Sequence, residues 1–338
     1  MFNKLYDEMK RIISESKIFI IVMVLLTIIL NIKLPYYIEA SGKMIDLKTR
    51  IDVKDSYNSK GSFNMTYVAQ RPGTVLNLII AKFNDNWDII KKNDVIYDNE
   101  TIEDDNIRGS ILLKQSNNDA LTIALDKAHI PYTENNLKIY IIYLDKKSNT
   151  DLKVGDEIIE VDGIEIKNHK MIIEHIRSLS KDTIVKFKIK RNNKIKVVDA
   201  KTFDYDGNTL IGAMLGTLKD VKTNQQVKFN FKSNEYGPSA GFMTALQIYN
   251  SLVKKDLTNG LKIAGTGTID SDGNVGNIDG IKYKLKGAIN SKADIFFVPA
   301  GDNYKEAKKI VEKNNYKIKL VSIKTFDQAI NYLTDYSK

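Results

Sequence analysis

One stretch decides the fold, Asn234-Glu235-Tyr236-Gly237-Pro238-Ser239-Ala240-Gly241, because it sets a single hydroxyl between two glycines ahead of an amphipathic segment. Val227, Phe229 and Phe231 alternate with polar residues, which predicts a half-buried strand before the turn. Ser239 would then lie at or near a helix N-terminus, where free N–H groups and the positive dipole end suit a nucleophile beside oxyanion donors. The helix is predicted from an apolar series at helical spacing: Phe242, Ala245, Leu246, Tyr249, Leu252 and Val253.

The surroundings of Ser239 also fit a G-x-S-x-G nucleophile elbow, which needs a histidine later in the chain. His129, His169 and His175 all precede Ser239, and the chain has no cysteine. A hydrolase built on Ser239 therefore needs another base, and a lysine whose pKa is lowered by burial is the remaining choice. The alternative is that Ser239 only caps the helix, since serine is a preferred N-cap residue.

A candidate base lies in a second glycine-rich segment, which starts at Gly280 and continues into a predicted helix with an apolar face. Lys282 and Lys284 flank this face, whereas Lys286 points away from it. Periodicity alone leaves both Lys282 and Lys284 open. The apolar face consists of Ile281, Leu285, Ala288 and Ile289.

The N-terminus has a basic segment and then an apolar run, Ile18 to Ile32. This pattern predicts a transmembrane anchor over 17–38, a cytoplasmic N-terminus and an extracellular remainder. A cleaved signal peptide is the alternative, although Ile38-Glu39-Ala40 is a poor cleavage site. The formal charge of +9 is spread along the 338 residues, so no nucleic-acid site is expected.

Residues 39–126 carry no recognisable chemistry. Alternation at Phe63, Met65 and Tyr67 predicts a strand, and Val75–Ile80 is interpreted as another. The stretch around 93–106 is acidic and rich in asparagine, which indicates a loop.

Leu152 to Gly163 reads LKVGDEIIEVDG and predicts a strand closed by an Asp-Gly turn. This segment resembles the LxxGDxIxxxDG segment of bacterial PDZ domains, which bind extended peptides by strand addition. No glycine-rich loop precedes the predicted strand Ile139 to Leu144, where the carboxylate-binding loop of that family would lie. Binding of C-termini and binding of internal segments therefore both stay open.

Three stretches together resemble the Lon-type serine protease domain: Gly237-Pro238-Ser239-Ala240-Gly241, Gly265-Thr266-Gly267 and Gly280-Ile281-Lys282-Tyr283-Lys284. The resemblance implies Ser239 as nucleophile, Lys284 as base and Thr266 as support for the lysine. Tyr236 stands where the family often has an acidic residue. The chain has no G-x-x-x-x-G-K-[ST] loop, so the ATP-driven unfoldase of full-length Lon is not expected.

Together these features are similar to the membrane-anchored, PDZ-containing Lon-like proteases of Gram-positive bacteria. We expect an α+β protein that acts as an ATP-independent endopeptidase on extracytoplasmic peptides or exposed protein segments, with no cofactor or metal and a possible homo-oligomeric state. The rival hypothesis is a non-catalytic PDZ-based scaffold with an inert Lon-like domain. The expected divisions are 1–16 cytoplasmic, 17–38 anchor, 39–126 N-terminal region, 127–202 PDZ-like domain and 203–338 protease domain.

Overall fold

The computed structural model of the chain describes residues 6, 8, 11, 15–97 and 99–336. It divides into two compact units. One comprises the residues up to Ala40 together with Ala69–Val95, and the other comprises Ser41–Val68 together with Ile96–Lys338. Most of the predicted cytoplasmic segment 1–16 lies outside the described residues.

Up to Lys127, the described residues form four strands, two of them 13 and 14 residues long, and three helices. In the first unit, β4 pairs antiparallel with residues 36–40 of β1. Short 3-10 turns lie at Leu47–Thr49 and Lys92–Asp94. The elements are α1 (Lys17–Leu30), β1 (Lys33–Asp46), β2 (Ile51–Val53), β3 (Ser62–Thr74), α2 (Val75–Ala81), β4 (Trp87–Lys91) and α3 (Ile102–Lys127).

The predicted transmembrane anchor over 17–38 is wrong. Helix α1 has 14 residues, which corresponds to about 21 Å against a hydrocarbon core of about 30 Å. The chain then leaves the helix, and residues 33–38, predicted to extend the span, belong to β1. Among the described residues, no helix combines the length and apolar character needed to cross a bilayer. The predicted single-pass location with an extracellular catalytic domain is contradicted by the same finding.

One further prediction in this region is wrong, and another holds only in part. The apolar run at Val75–Ile80 forms helix α2 rather than a strand, and the Thr74 side chain caps it by accepting from the N–H of Asn77. The acidic loop predicted around 93–106 ends at Thr101, because helix α3 begins at Ile102. A capping box between Thr101 and Asp104 starts this helix, because each side chain satisfies a backbone N–H of the other residue.

The middle of the chain forms an antiparallel sheet with the strand order β13-β5-β7-β9-β10-β6, and β8 pairs with β7. The predicted Asp-Gly turn is confirmed: Asp162 and Gly163 both have positive φ between β7 and β8. The elements are β5 (Tyr132–Leu144), β6 (Asn149–Thr150), β7 (Glu157–Val161), β8 (Ile164–Glu165), α4 (His169–Ser178), β9 (Ile184–Arg191), β10 (Lys194–Lys201), β11 (Phe203–Tyr205), β12 (Asn208–Leu210) and β13 (Ala213–Thr223).

The C-terminal third adds strands and helices to a parallel sheet. Within the second unit, β15 lies between β3 and β18 and runs parallel to both, and β19 extends the sheet beyond β18. Strand β14 pairs with β2. The elements are β14 (Val227–Phe229), α5 (Gly241–Leu252), β15 (Lys262–Gly265), β16 (Thr268–Ile269), β17 (Val275–Gly276), α6 (Ile281–Asn290), β18 (Ile295–Pro299), α7 (Asp302–Asn314), β19 (Lys319–Ile323) and α8 (Phe326–Thr334).

One hydrophobic core joins early and late parts of the chain. Phe63 of β3, Leu125 of α3, Phe242 and Leu246 of α5, and Phe326 of α8 belong to the same buried cluster. Helix α3 packs along α5. Burying side chains of this size stabilises a fold by roughly 2 kcal/mol each. The parallel sheet and helices that carry Ser239 therefore depend on residues from the region before residue 127.

Candidate active site

The turn that carries Ser239 ends where helix α5 begins. Gly237 has φ +88°, a conformation that favours glycine. Ala240 holds the N-cap position, so Ser239 precedes the helix by two residues. In the part of the chain that the structure describes, the Ser239 hydroxyl makes no hydrogen bond. The alternative that Ser239 serves as the helix cap therefore has no support in the geometry.

Thr266 and Gly267 hold the Ser239 main chain from the end of β15. The N–H of Gly267 donates to the carbonyl oxygen of Ser239 at 2.8 Å. The Thr266 hydroxyl, fully buried, donates to the same oxygen at 3.0 Å. The N–H of Phe242 returns to the carbonyl of Gly267 at 3.1 Å. The structure therefore brings Thr266 and Ser239 together through the backbone.

Two backbone N–H groups in this turn are available for a ligand. Those of Ser239 and Ala240 donate to no acceptor within the described ranges 15–97 and 99–336. They lie at the positive end of α5, where hydrogen-bond donors and the helix dipole favour a negative charge. The arrangement is suited to hold an oxyanion next to the Ser239 hydroxyl.

Burial distinguishes Lys284 from the neighbouring lysines on α6. Its side chain is 5% exposed, whereas Lys282 is exposed and Lys286 is half-buried. Burial lowers the pKa of Lys284 to about 8, against a smaller opposing effect of Asp279. The described residues give its amine no hydrogen bond and no ion pair. A buried amine of this kind is neutral more often than an ordinary lysine and is able to accept a proton.

Ser239 and Lys284 are not joined by a hydrogen bond among the described residues, and the Thr266 hydroxyl donates to the Ser239 carbonyl. Catalytic hydrogen bonds are commonly long without substrate and tighten when substrate binds.

The acidic side chain nearest to the turn in sequence is occupied elsewhere. Arg50 holds Glu235 through two hydrogen bonds at 2.8 and 2.7 Å, and both side chains are largely buried. Burial alone would raise the pKa of Glu235, but the hydrogen bonds from Arg50 and from the N–H of Lys232 outweigh burial and lower it. Tyr236 instead packs its ring against Gly109 of α3.

Helix α3 contributes contacts that the sequence did not predict. The N–H of Gly237 donates to the carbonyl of Gly109 at 3.0 Å, and the Ser116 hydroxyl donates to the carbonyl of Pro238 at 3.1 Å. The capping motif Thr101–Asp104 was the available signal for this helix.

A second candidate site lies between α4 and β13. In the described sheet, β13 pairs with β5 on one side only, and Gly212 with φ +72° precedes it. Side chains of α3 cover the far part of the free edge: Gln115 accepts from the N–H of Thr217 at 3.3 Å, and Asn118 donates to the carbonyl of Lys219. Beside the uncovered part of this edge lies a cavity of about 370 Å³, which is lined mainly by Ile172, Ile173, Ile176, Ile211, Met214 and Leu215.

Two protein-family models match segments of the chain. Residues 130–202 match the PDZ domain, and residues 232–335 match the Lon protease (S16) C-terminal proteolytic domain. The chain combines a PDZ domain with a Lon-type proteolytic domain. The resemblance to PDZ-containing Lon-like proteases is confirmed, and Ser239, Thr266 and Lys284 all lie inside the matched Lon-type segment. Helix α3 precedes that segment.

Solved structures with similarity to the chain include two PDZ domains of SdrC-like proteins. The one from Listeria innocua is 28% identical, covers 23% of this chain and 92% of its own, and has a TM-score of 0.22. The one from Listeria monocytogenes is 28% identical, covers 23% of this chain and 85% of its own, and has a TM-score of 0.21. No curated protein matches the chain.

Proposed function

We propose that the chain is an ATP-independent serine endopeptidase in which Ser239 and Lys284 form the catalytic dyad. The observation that carries the proposal is the buried amine of Lys284, which has a pKa of about 8 and no hydrogen-bond or ion-pair partner among the described residues. A neutral amine is required of a general base, and an ordinary lysine is almost wholly protonated at pH 7. The Lon-type domain supplies the reaction class.

In the proposed reaction, the neutral Lys284 amine accepts the proton of the Ser239 hydroxyl as its oxygen bonds to a peptide carbonyl carbon. The N–H groups of Ser239 and Ala240 stabilise the oxyanion. The Lys284 ammonium then donates its proton to the leaving amine, which leaves an ester on Ser239. A water molecule, deprotonated by the same lysine, attacks the ester, and the Ser239 hydroxyl regains its proton.

Thr266 supports this chemistry through the backbone. Its hydroxyl holds the carbonyl of Ser239, and this carbonyl shares a rigid peptide plane with the N–H of Ala240. Thr266 therefore orients one oxyanion donor, in addition to the support of the lysine that the family resemblance implies.

We also propose that the PDZ domain delivers substrate. An extended peptide would add as a strand to the open edge of β13 at residues 213–215 and place an apolar side chain in the cavity beside α4. Residues 127–202 form the core of this domain in our proposal, and β13 completes its sheet. The remainder of residues 203–338 forms the protease domain, together with β2, β3 and α3, which share its hydrophobic core.

The test is hydrolysis of fluorescein-labelled casein, an unstructured substrate, without ATP. We expect Ser239→Ala and Lys284→Gln each to lower kcat by at least about 10³-fold without lowering the melting temperature. The matched controls are Ser233→Ala and Lys282→Gln, which alter exposed residues near the same positions and should retain activity. An active Lys284→Gln variant beside an inactive Lys282→Gln variant would contradict the assignment of the base.

The missing hydrogen bond between Ser239 and Lys284 favours a second candidate function, a PDZ-based binding protein with an inert Lon-type domain. That function predicts peptide binding at β13 without casein cleavage. A wild-type chain that binds peptide and leaves casein intact over a wide range of enzyme concentration would establish it.

A further inference from the structure

The carbonyl of Pro238 is held by a residue outside the matched Lon-type segment. Ser116 of α3 is 3% exposed, and its hydroxyl donates to the Pro238 oxygen at 3.1 Å. The same oxygen accepts the N–H of Gly241 at 3.0 Å. Two donors from different helices therefore fix the direction of one carbonyl in the turn that carries Ser239.

Fixing this carbonyl also fixes the N–H of Ser239. The two groups belong to one planar peptide unit, and in a trans peptide they point in opposite directions. The described chain contains no cis peptide bond. Because the N–H of Ser239 has no acceptor among the described residues, the peptide plane presents it away from Ser116 as a free donor.

The packing around Ser116 leaves little room for rearrangement. A Cβ added to Gly241 would lie 2.2 Å from the Ser116 oxygen, so glycine at 241 permits this close approach. Seven residues earlier, Gly109 on the same face of α3 accepts the N–H of Gly237. Helix α3 thus contacts the turn at two points, and removal of the Ser116 hydroxyl would leave the second point intact.

We propose that Ser116 is a positioning residue for catalysis, which orients the N–H of Ser239 as an oxyanion donor through the Pro238 carbonyl. This inference rests on the proposed endopeptidase function. Without the hydroxyl, the Pro238 carbonyl keeps only the N–H of Gly241, and the peptide plane gains freedom to rotate. The stabilisation lost is that of the transition state, in which the oxyanion exists, and not that of bound substrate.

The experiment compares the full-length wild type with Ser116→Ala. On labelled casein we expect kcat to fall about fivefold with KM unchanged, because one neutral hydrogen bond that aligns a donor is lost while the donor itself stays. The second readout is inhibition by a peptide boronate, whose tetrahedral adduct places an oxygen at the oxyanion position. Its inhibition constant should rise by the same factor as kcat falls.

Two matched variants separate positioning from general stability. Ser110→Ala makes the same change at an exposed site on α3 and should match the wild type in both readouts. Ser251→Ala removes a buried hydroxyl that donates to Gln247 at the far end of α5. It should lower the melting temperature without changing the boronate inhibition constant.

A folded Ser116→Ala variant with wild-type kcat and wild-type boronate inhibition would overturn the inference. So would an equal rise of the inhibition constant in Ser251→Ala. If Ser116→Ala does not fold, Ser116→Cys, with a similar size and a weaker donor, is judged by the same two readouts. If the wild type neither cleaves casein nor binds the boronate, the proposed function fails and the inference fails with it. If the wild type is active, the result for Ser116→Ala tests the inference separately from the proposed function.

Discussion

Lys284 is expected to reduce the stability of the folded chain at neutral pH. Burial lowers its pKa from 10.5 to about 8, which means that the fold disfavours the ammonium form. At pH 7 Lys284 is protonated in both the folded and the unfolded chain. Folding therefore bears the full cost of burying the ammonium, about 3 kcal/mol. Lys284→Met removes the charge with little change in side-chain volume. We therefore expect it to raise the free energy of unfolding by up to about 3 kcal/mol at pH 7.

The gain should shrink as the pH rises. Between pH 8 and pH 10.5 the unfolded chain still binds the proton that the folded chain has released, so the stability of the wild type rises with pH in this window. At pH 9.5 the difference between the two proteins should be only about 1 kcal/mol. Urea unfolding at pH 7, 8.5 and 9.5 measures it. Lys282→Met, which alters an exposed lysine of the same helix, is the control.

The reasoning about Lys284 would be refuted by a Lys284→Met variant that is less stable than the wild type at pH 7. A gain in stability that stays constant from pH 7 to pH 9.5 would also refute it, because the effect would then not come from a proton equilibrium.

Three further outcomes follow from contacts around the two sites. Arg50→Met leaves the largely buried Glu235 without its partner, so the free energy of unfolding should fall by about 2 kcal/mol in urea unfolding at pH 7. The loss should be smaller at pH 4, because without Arg50 the burial of this carboxyl raises its pKa and favours the neutral form; an equal loss at both pH values would contradict this. Gly109→Ala places a Cβ 2.8 Å from the Tyr236 ring, so the ring must move and the melting temperature should fall by several degrees, whereas Ser110→Ala on the same helix should not change it. Ile173→Glu puts a charge into the apolar cavity beside β13, so KM for casein should rise at least fivefold with kcat unchanged; an unchanged KM would exclude this cavity as a docking site.

The sequence predicted the elements whose residues alternate or recur clearly. The apolar series after Ser239 became α5, the series from Ile281 became α6, and the Asp162-Gly163 turn lies where its two residues predict it. Lys282 and Lys284 could not be separated by periodicity, because both flank the apolar face of α6. Their different burial results from tertiary packing, which the sequence pattern of one helix does not contain.

Helix α3 was missed because its buried face is partly polar. Gly109, Ser116 and Asn117 lie among its buried residues, so the apolar period that predicts a helix is interrupted. The strand prediction for Val75–Ile80 was wrong for another reason, because a short apolar run fits a strand and a buried helix equally well.

The apolar run Ile18 to Ile32 has the composition of a membrane span. The helix ends at Leu30, however, and β1 begins at Lys33, so the helix does not continue to residue 38 as predicted. The PDZ resemblance would place a glycine-rich loop before the strand Ile139 to Leu144. A glycine with positive φ, Gly212, instead precedes β13, which is the last strand along the chain in this sheet. Sequence order did not reveal that β13, and not the strand Ile139 to Leu144, forms the open edge.

The dependence of casein cleavage on pH tests the Ser239–Lys284 dyad most directly. With a pKa of about 8 for Lys284, the neutral fraction of the amine rises from about 0.09 at pH 7 to about 0.9 at pH 9, so kcat/KM should rise about tenfold and then level off. The rise should persist when His129, His169 and His175 are all replaced by glutamine. Loss of the rise in that folded triple variant, or a flat profile in the wild type, would contradict the proposal that Lys284 is the base.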